Sequence, residues 1–228
     1  MKKLIIGFLA VIGLSGCVTP IPLKEQIPSP EYKATQPVLI SVVDKRNRVQ
    51  EGKPANFVGV AHGAFGIPVD WNVDILLATE KDDKSLTLAQ WLQKRLVKGL
   101  QEKGWSVKGV DLNSVPTSEQ AEITLTQNQA TQLLTLELQE WYFSINLNWV
   151  TAFNFDTDAH LYLFEKGQGQ VYYKQTKERD VIDEQASESP QNNVLRAYRD
   201  QLQQLLSDPE LKAAIIKAQT TATVSEAL

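Results

Sequence analysis

Asp156-x-Asp158-x-His160 is the densest set of potential ligand side chains in the chain. Residues two apart on a strand share a face, about 6.5–7 Å from one another. Two carboxylates and an imidazole would then point the same way and could hold a divalent ion if a neighbouring strand added donors. The same pattern describes a solvated sheet face, which is the reading taken here, so no metal is expected. His62 is the second of the two histidines. A Ser-His-Asp triad would need His62 or His160 as its base, yet no Gly-x-Ser-x-Gly elbow presents a serine. The paired carboxylates Asp82-Asp83 precede a helical pattern, where they suit a helix N-terminus better than acid catalysis. The expectation is a non-enzymatic protein without a cofactor.

Aromatic residues carry the remaining binding signal. His62-Gly63-Ala64-Phe65-Gly66-Ile67-Pro68 is glycine-rich, with Trp71 close behind. It is no phosphate loop, because the glycine spacing is wrong and no Gly-Lys-Ser/Thr follows. Trp141, Tyr142, Phe143 and Trp149 form a second concentration. If exposed, His62, Phe65, Trp71, Tyr142 and Trp149 could stack on sugar rings or grip an apolar ligand; on alternating strand positions such side chains are more often core. Tyr142 lies off the apolar parity of its strand and is the one expected to be open.

The lone cysteine, Cys17, ends Leu14-Ser15-Gly16-Cys17, after Met1-Lys2-Lys3 and an apolar run from Leu4 to Leu14. Two lysines, a short apolar segment and small residues make a secretory signal. The run is too short to cross a ~30 Å hydrocarbon core as a helix. Leu-Ser-Gly-Cys resembles the lipobox of bacterial lipoproteins. The resemblance implies cleavage before Cys17, acylation of its thiol and new amino terminus, and several chains that hold a membrane firmly. Val18 in place of an Asp implies the outer rather than the inner membrane. With one cysteine no intrachain disulfide forms. The formal charge is −4, and Lys2 and Lys3 lie in the leader, so the remainder is more acidic still. Without Lys/Arg blocks, nucleic acid and electrostatic docking on anionic lipid are not expected.

These groups are positioned by a chain of ordinary single-domain size. Residues 1–16 read as signal, 17–37 as acylated cysteine and tether, 38–218 as one α/β domain and 219–228 as a disordered tail. Pro20, Pro22, Pro28, Pro30 and Pro37, half of the ten prolines, favour an extended solvated tether reaching roughly 50–60 Å. Val38–Asp44 reads as a buried strand, Phe57–Ala61 as a second and Val73–Thr79 as another. Ser85 caps a helix over about 86–103, with Leu88, Trp91, Leu92, Leu96 and Leu100 as its buried stripe and Gly104 at its end. Gly99 beside that stripe permits close approach to the sheet. Lys108–Glu119 is linker and Glu122–Thr126 a further strand. Leu134, Leu136 and Leu138 alternate, and then the apolar parity flips to Trp141, Phe143, Ile145 and Leu147. One strand cannot do this without an extra residue, so a β-bulge is expected at Gln139-Glu140. The next strand sets Phe153, Phe155, Ala159, Leu161 and Leu163 against Asn154, Asp156, Asp158, His160 and Tyr162, and returns through a turn at Gly167. Ser189-Pro190 opens a helix, and Asp208-Pro209 opens another through about Ala218.

The fold class expected is α+β: a mixed sheet with a long antiparallel hairpin meander, one central helix after the first strands, and two C-terminal helices packed on it. This order of elements resembles the YajG-like family of bacterial envelope lipoproteins. The likeness is carried by the lipobox and proline-rich leader, by Val38–Asp44 with Arg46 after it, by Leu100-Gln101-Glu102-Lys103-Gly104-Trp105-Ser106-Val107, and by the hairpin around Gly167 with the closing helices. It covers nearly the whole chain after the leader, least so at Phe57–Asp74. It implies a lipid-anchored α/β domain without a catalytic signature. The expected role is that of a periplasm-facing envelope accessory binding another envelope protein by sheet face or edge. The alternative is a glycan- or lipid-binding module using residues 62–71.

Overall fold

Strand β5 (Gln132–Asn146) is the spine of a seven-stranded mixed sheet. The computed structural model describes residues 19–63, 66–146, 152–182 and 188–225. Strand β1 (Val38–Asp44) runs parallel to the first half of β5, from Val38 opposite Gln132 to Asp44 opposite Leu138. Strand β2 (Phe57–His62) runs parallel to the second half, from Gly59 opposite Phe143 to His62 opposite Asn146. β3 (Pro68–Asn72) closes a hairpin on β2, and β4 (Val107–Gly109) lies parallel to β1. On the far side of β5, β6 (Ala152–Glu165) and β7 (Gly169–Ile182) form the long antiparallel hairpin.

The bulge lies where the parity of apolar residues requires it: the β5–β6 register shifts between Leu138 and Glu140. The extra residue lets Leu134, Leu136 and Leu138 share a face with Trp141, Phe143 and Ile145, and all six are buried. It also coincides with the break between β1 and β2. Arg46 bridges that break. Its buried guanidinium holds the Asp44 carboxylate at 2.7 and 2.9 Å and donates to the carbonyls of Phe57 (2.6 Å) and Ala55 (3.2 Å). A single-turn helix, α1 (Asn47–Gln50), follows it.

Helices α2 (Leu88–Glu102), α4 (Pro190–Leu206) and α5 (Pro209–Ser225) cover one sheet face. Each stripe read from the sequence is buried: Leu88, Trp91, Leu92, Leu96 and Leu100 on α2; Val194, Leu195, Tyr198, Leu202, Leu205 and Leu206 on α4; Leu211 and Ile215 on α5. Trp141, Phe155 and Tyr198 pack at ring-centroid distances of 5.1–5.7 Å in the middle of this layer. Ser189 accepts from the Asn192 amide and Asp208 from those of Glu210 and Leu211, as capping residues do.

Six local expectations are corrected. Val73–Leu77 is a π-helical turn rather than a strand, and it buries Val73, Leu76 and Leu77 at helical spacing. Glu122–Thr126 belongs to helix α3 (Ser118–Gln127), which a Thr117–Gln120 capping box starts. The cap of α2 is Thr87, also in a capping box with Gln90, while Ser85 closes a 3-10 turn over Lys81–Ser85. The proline-rich segment is no solvated tether. From residue 19 to 37 it is a strap laid along α2 and α4, with Ile21, Gln26, Ile27, Tyr32 and Ala34 buried. Gly99 admits this strap rather than the sheet: a Cβ there would lie 2.3 Å from the Pro28 carbonyl oxygen. Helix α5 runs to Ser225, beyond the expected helix end near Ala218.

Candidate functional site

The second face of the sheet is covered only in part. α3 packs over Leu39, Leu133 and Phe164 with Ala121 and Leu125. Beyond it, the single turn α1 is the one helix among the described residues that reaches this face, through Arg48 over Tyr142 and Glu140. Period-two alternation puts Asn154, Asp156, Asp158, His160 and Tyr162 of β6 on this face, as read from the sequence. Their cross-strand partners on β7 are Val181, Arg179, Lys177, Gln175 and Tyr173. The β7 half of the face follows from the hairpin register alone and was not read from the sequence; the turn at Gly167 was the signal that would have supplied it.

The carboxylates here are engaged by cations across the strand pair. Arg179 grips Asp156 through both oxygens at 2.5 and 2.8 Å, and this contact holds the carboxyl below its usual range. Burial would raise the Asp158 carboxyl, but the Gln175 amide at 2.8 Å and the Lys177 ammonium at 3.0 Å outweigh it and lower it. The Asp-x-Asp-x-His set is thus the acidic rail of a charge ladder.

Aromatic rings fill the centre of the face. His160, Tyr162 and Tyr173 lie within 5.0–6.4 Å of one another by ring centroid. Glu137 approaches the His160 Nδ1 and Asp158 its Nε2, each at 3.6 Å. Burial raises the Tyr162 phenol, and the Glu137 charge adds to it. At the far end Tyr142 lies half-buried under the Arg48 guanidinium, 3.7 Å from its ring centroid, and Arg48 also bonds Glu140 at 3.0 Å. The face thus has an aromatic centre and an Arg/Lys/Asp rim.

Of the residues expected to bind a ligand, His62, Trp71 and Tyr142 are described, and Trp71 and Tyr142 face opposite ways. Trp71 stacks on Phe143 at 5.9 Å, on the helix-covered face, and is partly buried. Tyr142 is the neighbour of Phe143 on β5 and faces the other way, against Phe57. His62 pairs with Asn146 and Pro68 at the strand ends. Cys17, Phe65 and Trp149 lie outside the described residues. Asp82 and Asp83 stand in the first turn of the Lys81–Ser85 3-10 helix rather than that of α2, with Asp83 in a capping box with Glu80; with Glu80 they converge on the Lys94 ammonium at 2.7–3.0 Å. A groove of about 770 Å³ runs beside them along α2. The polar groups in its walls largely bond one another, as Gln93 does with Asp111 at 3.2 Å.

No family model and no curated protein matches this chain. Among solved structures it is similar to a Xanthomonas campestris protein of family-model DUF330, with TM-score 0.47 and 10% identity over 90% of this chain and 95% of that one. It is also similar to a protein described as uncharacterized, with TM-score 0.40 and 13% identity over 79% of this chain and 91% of that one. A third likeness, to lipoprotein GNA1162 of Neisseria meningitidis, has TM-score 0.29 and 12% identity over 73% of this chain and 96% of that one.

Proposed function

We propose that this protein is a lipid-anchored accessory of the bacterial envelope that works without catalysis, by holding another protein against the β5–β7 face and the outer edge of β7. The anchor is Cys17 in Leu14-Ser15-Gly16-Cys17, and the outer membrane, periplasmic side, is its place. The YajG-like order of elements points the same way.

One observation carries the contact reading. Among the described residues, β7 is a 14-residue strand that pairs only with β6. The other outer strands, β3 and β4, have five and three residues. A long edge offers unpaired backbone donors and acceptors to an added strand, and Lys174, Lys177 and Arg179 keep copies of such an edge from pairing with one another. The face measures roughly 30 by 15 Å, about half of the ~800 Å² per partner that a stable contact buries. The edge must therefore contribute, or the contact is transient.

Tyr173 and Lys177 are exposed, so changing them spares the core. Affinity capture from membranes with Tyr173→Glu/Lys177→Glu should recover at least tenfold less of one co-purifying protein than the unchanged chain. Lys108→Glu on β4 should recover it in full. Equal recovery by all three would rule the face out.

A further inference from the structure

Seven large apolar side chains are exposed among the described residues, and three of them lie towards one end of the molecule: Ile67 (62%), Val69 (51%) and Val181 (68%). The sheet register defines that end. His62 pairs with Pro68 and Asn146, Asn146 with Ala152, and Phe153 with Ile182, so the β2–β3 tip and the last residues of β7 stand in one row. α4 begins on the same side. Tyr198 packs on Trp141 and Phe155, while Leu202, Leu205 and Leu206 pack lower, near Leu134, Leu136 and Ile40, so its first turn points towards the row.

The strap begins at this end too. Asn192, in the first turn of α4, donates to the Thr19 carbonyl at 3.2 Å and accepts from the Ile21 amide at 3.0 Å. Its neighbour Gln191 donates to the Leu76 carbonyl at 3.0 Å. Further along, Gln26 bonds the Ile21 carbonyl at 2.7 Å and Arg95 at 3.0 Å, which locks the strap to the body. Cys17 is two residues from Thr19, a reach of about 7 Å. An acyl group there cannot sit a tether's length away.

We infer that this end of the molecule lies against the lipid surface, with Ile67, Val69 and Val181 entering the interface. The inference rests on the anchor reading above and adds a fixed orientation to it. Lys53 bonds Asp70, and Asp74 and Asp180 add negative charge, so among the described residues this end shows no cationic cluster for anionic headgroups. The contact is apolar and should not respond to salt. The long β6–β7 hairpin then runs away from the bilayer, with its open face and β7 edge from Lys177 to Tyr173 clear of lipid.

The test is photolabelling of the full acylated protein, reconstituted in phosphatidylcholine vesicles that carry a diazirine on the lipid chain, with labelled peptides mapped by mass spectrometry. Label is expected on peptides spanning residues 66–75 and 179–182 and not on those spanning 104–112 or 166–169, equally at 0.1 and 1 M salt. Ile67→Asp/Val69→Asp should remove at least nine-tenths of the label from the first peptide while Cys17 stays acylated. Acylated Cys17 with label spread evenly, absent from the body, or placed at the Gly104–Gly167 end would overturn the orientation and leave the anchor. A bare Cys17 thiol in the same digest would remove the anchor reading and the orientation with it.

Discussion

Deleting Gln139 is expected to leave no stably folded protein. The bulge between Leu138 and Glu140 is what reconciles the two halves of β5. Without it, the period-two alternation carries either Leu134, Leu136 and Leu138 or Trp141, Phe143 and Ile145 to the polar face. Burying each such side chain contributes about 1.5–3 kcal/mol, so three together amount to roughly 5–9 kcal/mol. A domain of this kind has about 5–15 kcal/mol in all. Trp141 would also leave its ring contacts with Phe155 and Tyr198. Gln139→Ala is the control, because that side chain bonds only Glu137, at 2.7 Å; it should cost about 1 kcal/mol or less. Circular dichroism melts read both. A cooperative melt of the deletion within a few degrees of the parent would show that the bulge does not set the register.

Asp83→Ala is expected to cost about 3–5 kcal/mol, the cost of leaving a buried charge without its partner. Asp83 and Arg95 are both fully buried and meet at 2.7 Å. Lys94 bonds the same carboxylate at 2.7 Å, and the amides of Thr79 and Glu80 donate to it at 3.2 and 3.1 Å. Removing the carboxylate leaves Arg95 with Gln26 and Thr79 as its close partners. The strap should loosen with it, because Gln26 accepts from both Arg95 and Thr79 at 3.0 Å. Burial alone would raise the Asp83 carboxyl, but Arg95 and Lys94 outweigh it and hold it below its usual range. The stabilisation is therefore complete above the ordinary carboxylate range near pH 4 and is lost as pH falls through the lower native value. Urea unfolding at pH 7 and pH 3 should show the gap between parent and variant closing in acid, with faster amide exchange over residues 21–34. A gap below 1 kcal/mol at pH 7 would contradict this account of the ion pair.

The parts of the fold legible in the sequence are those where one period governs a long run. The α2 and α4 stripes, the β5 parity flip and the polar alternation of β6 were all of that kind. The parts that were not legible are short or carry two signals at once. Glu122–Thr126 alternates like a strand, and only Thr117 and Gln120 ahead of it announce α3. Val73–Leu77 reads as an apolar strand, yet its buried residues stand at positions 73, 76 and 77. In the strap, five prolines mask Ile21, Ile27, Tyr32 and Ala34, whose burial depends on a groove that α2 and α4 create only after folding. Two members of the expected aromatic site part for a related reason. Trp71 and Tyr142 were grouped by chain proximity to glycine or to other rings, whereas strand register sends them to opposite faces. Register likewise hid Tyr173, which meets Tyr162 only across the hairpin.

The central claim is that the open β5–β7 face, held out from an anchored body, is where a partner docks. Photo-crosslinking in intact cells tests it most directly, with p-benzoylphenylalanine placed at Tyr173 and, separately, at Lys98 on the far side of the molecule. The account predicts one discrete adduct from Tyr173 and none from Lys98. No adduct from Tyr173, or the same adduct from both positions, would contradict it.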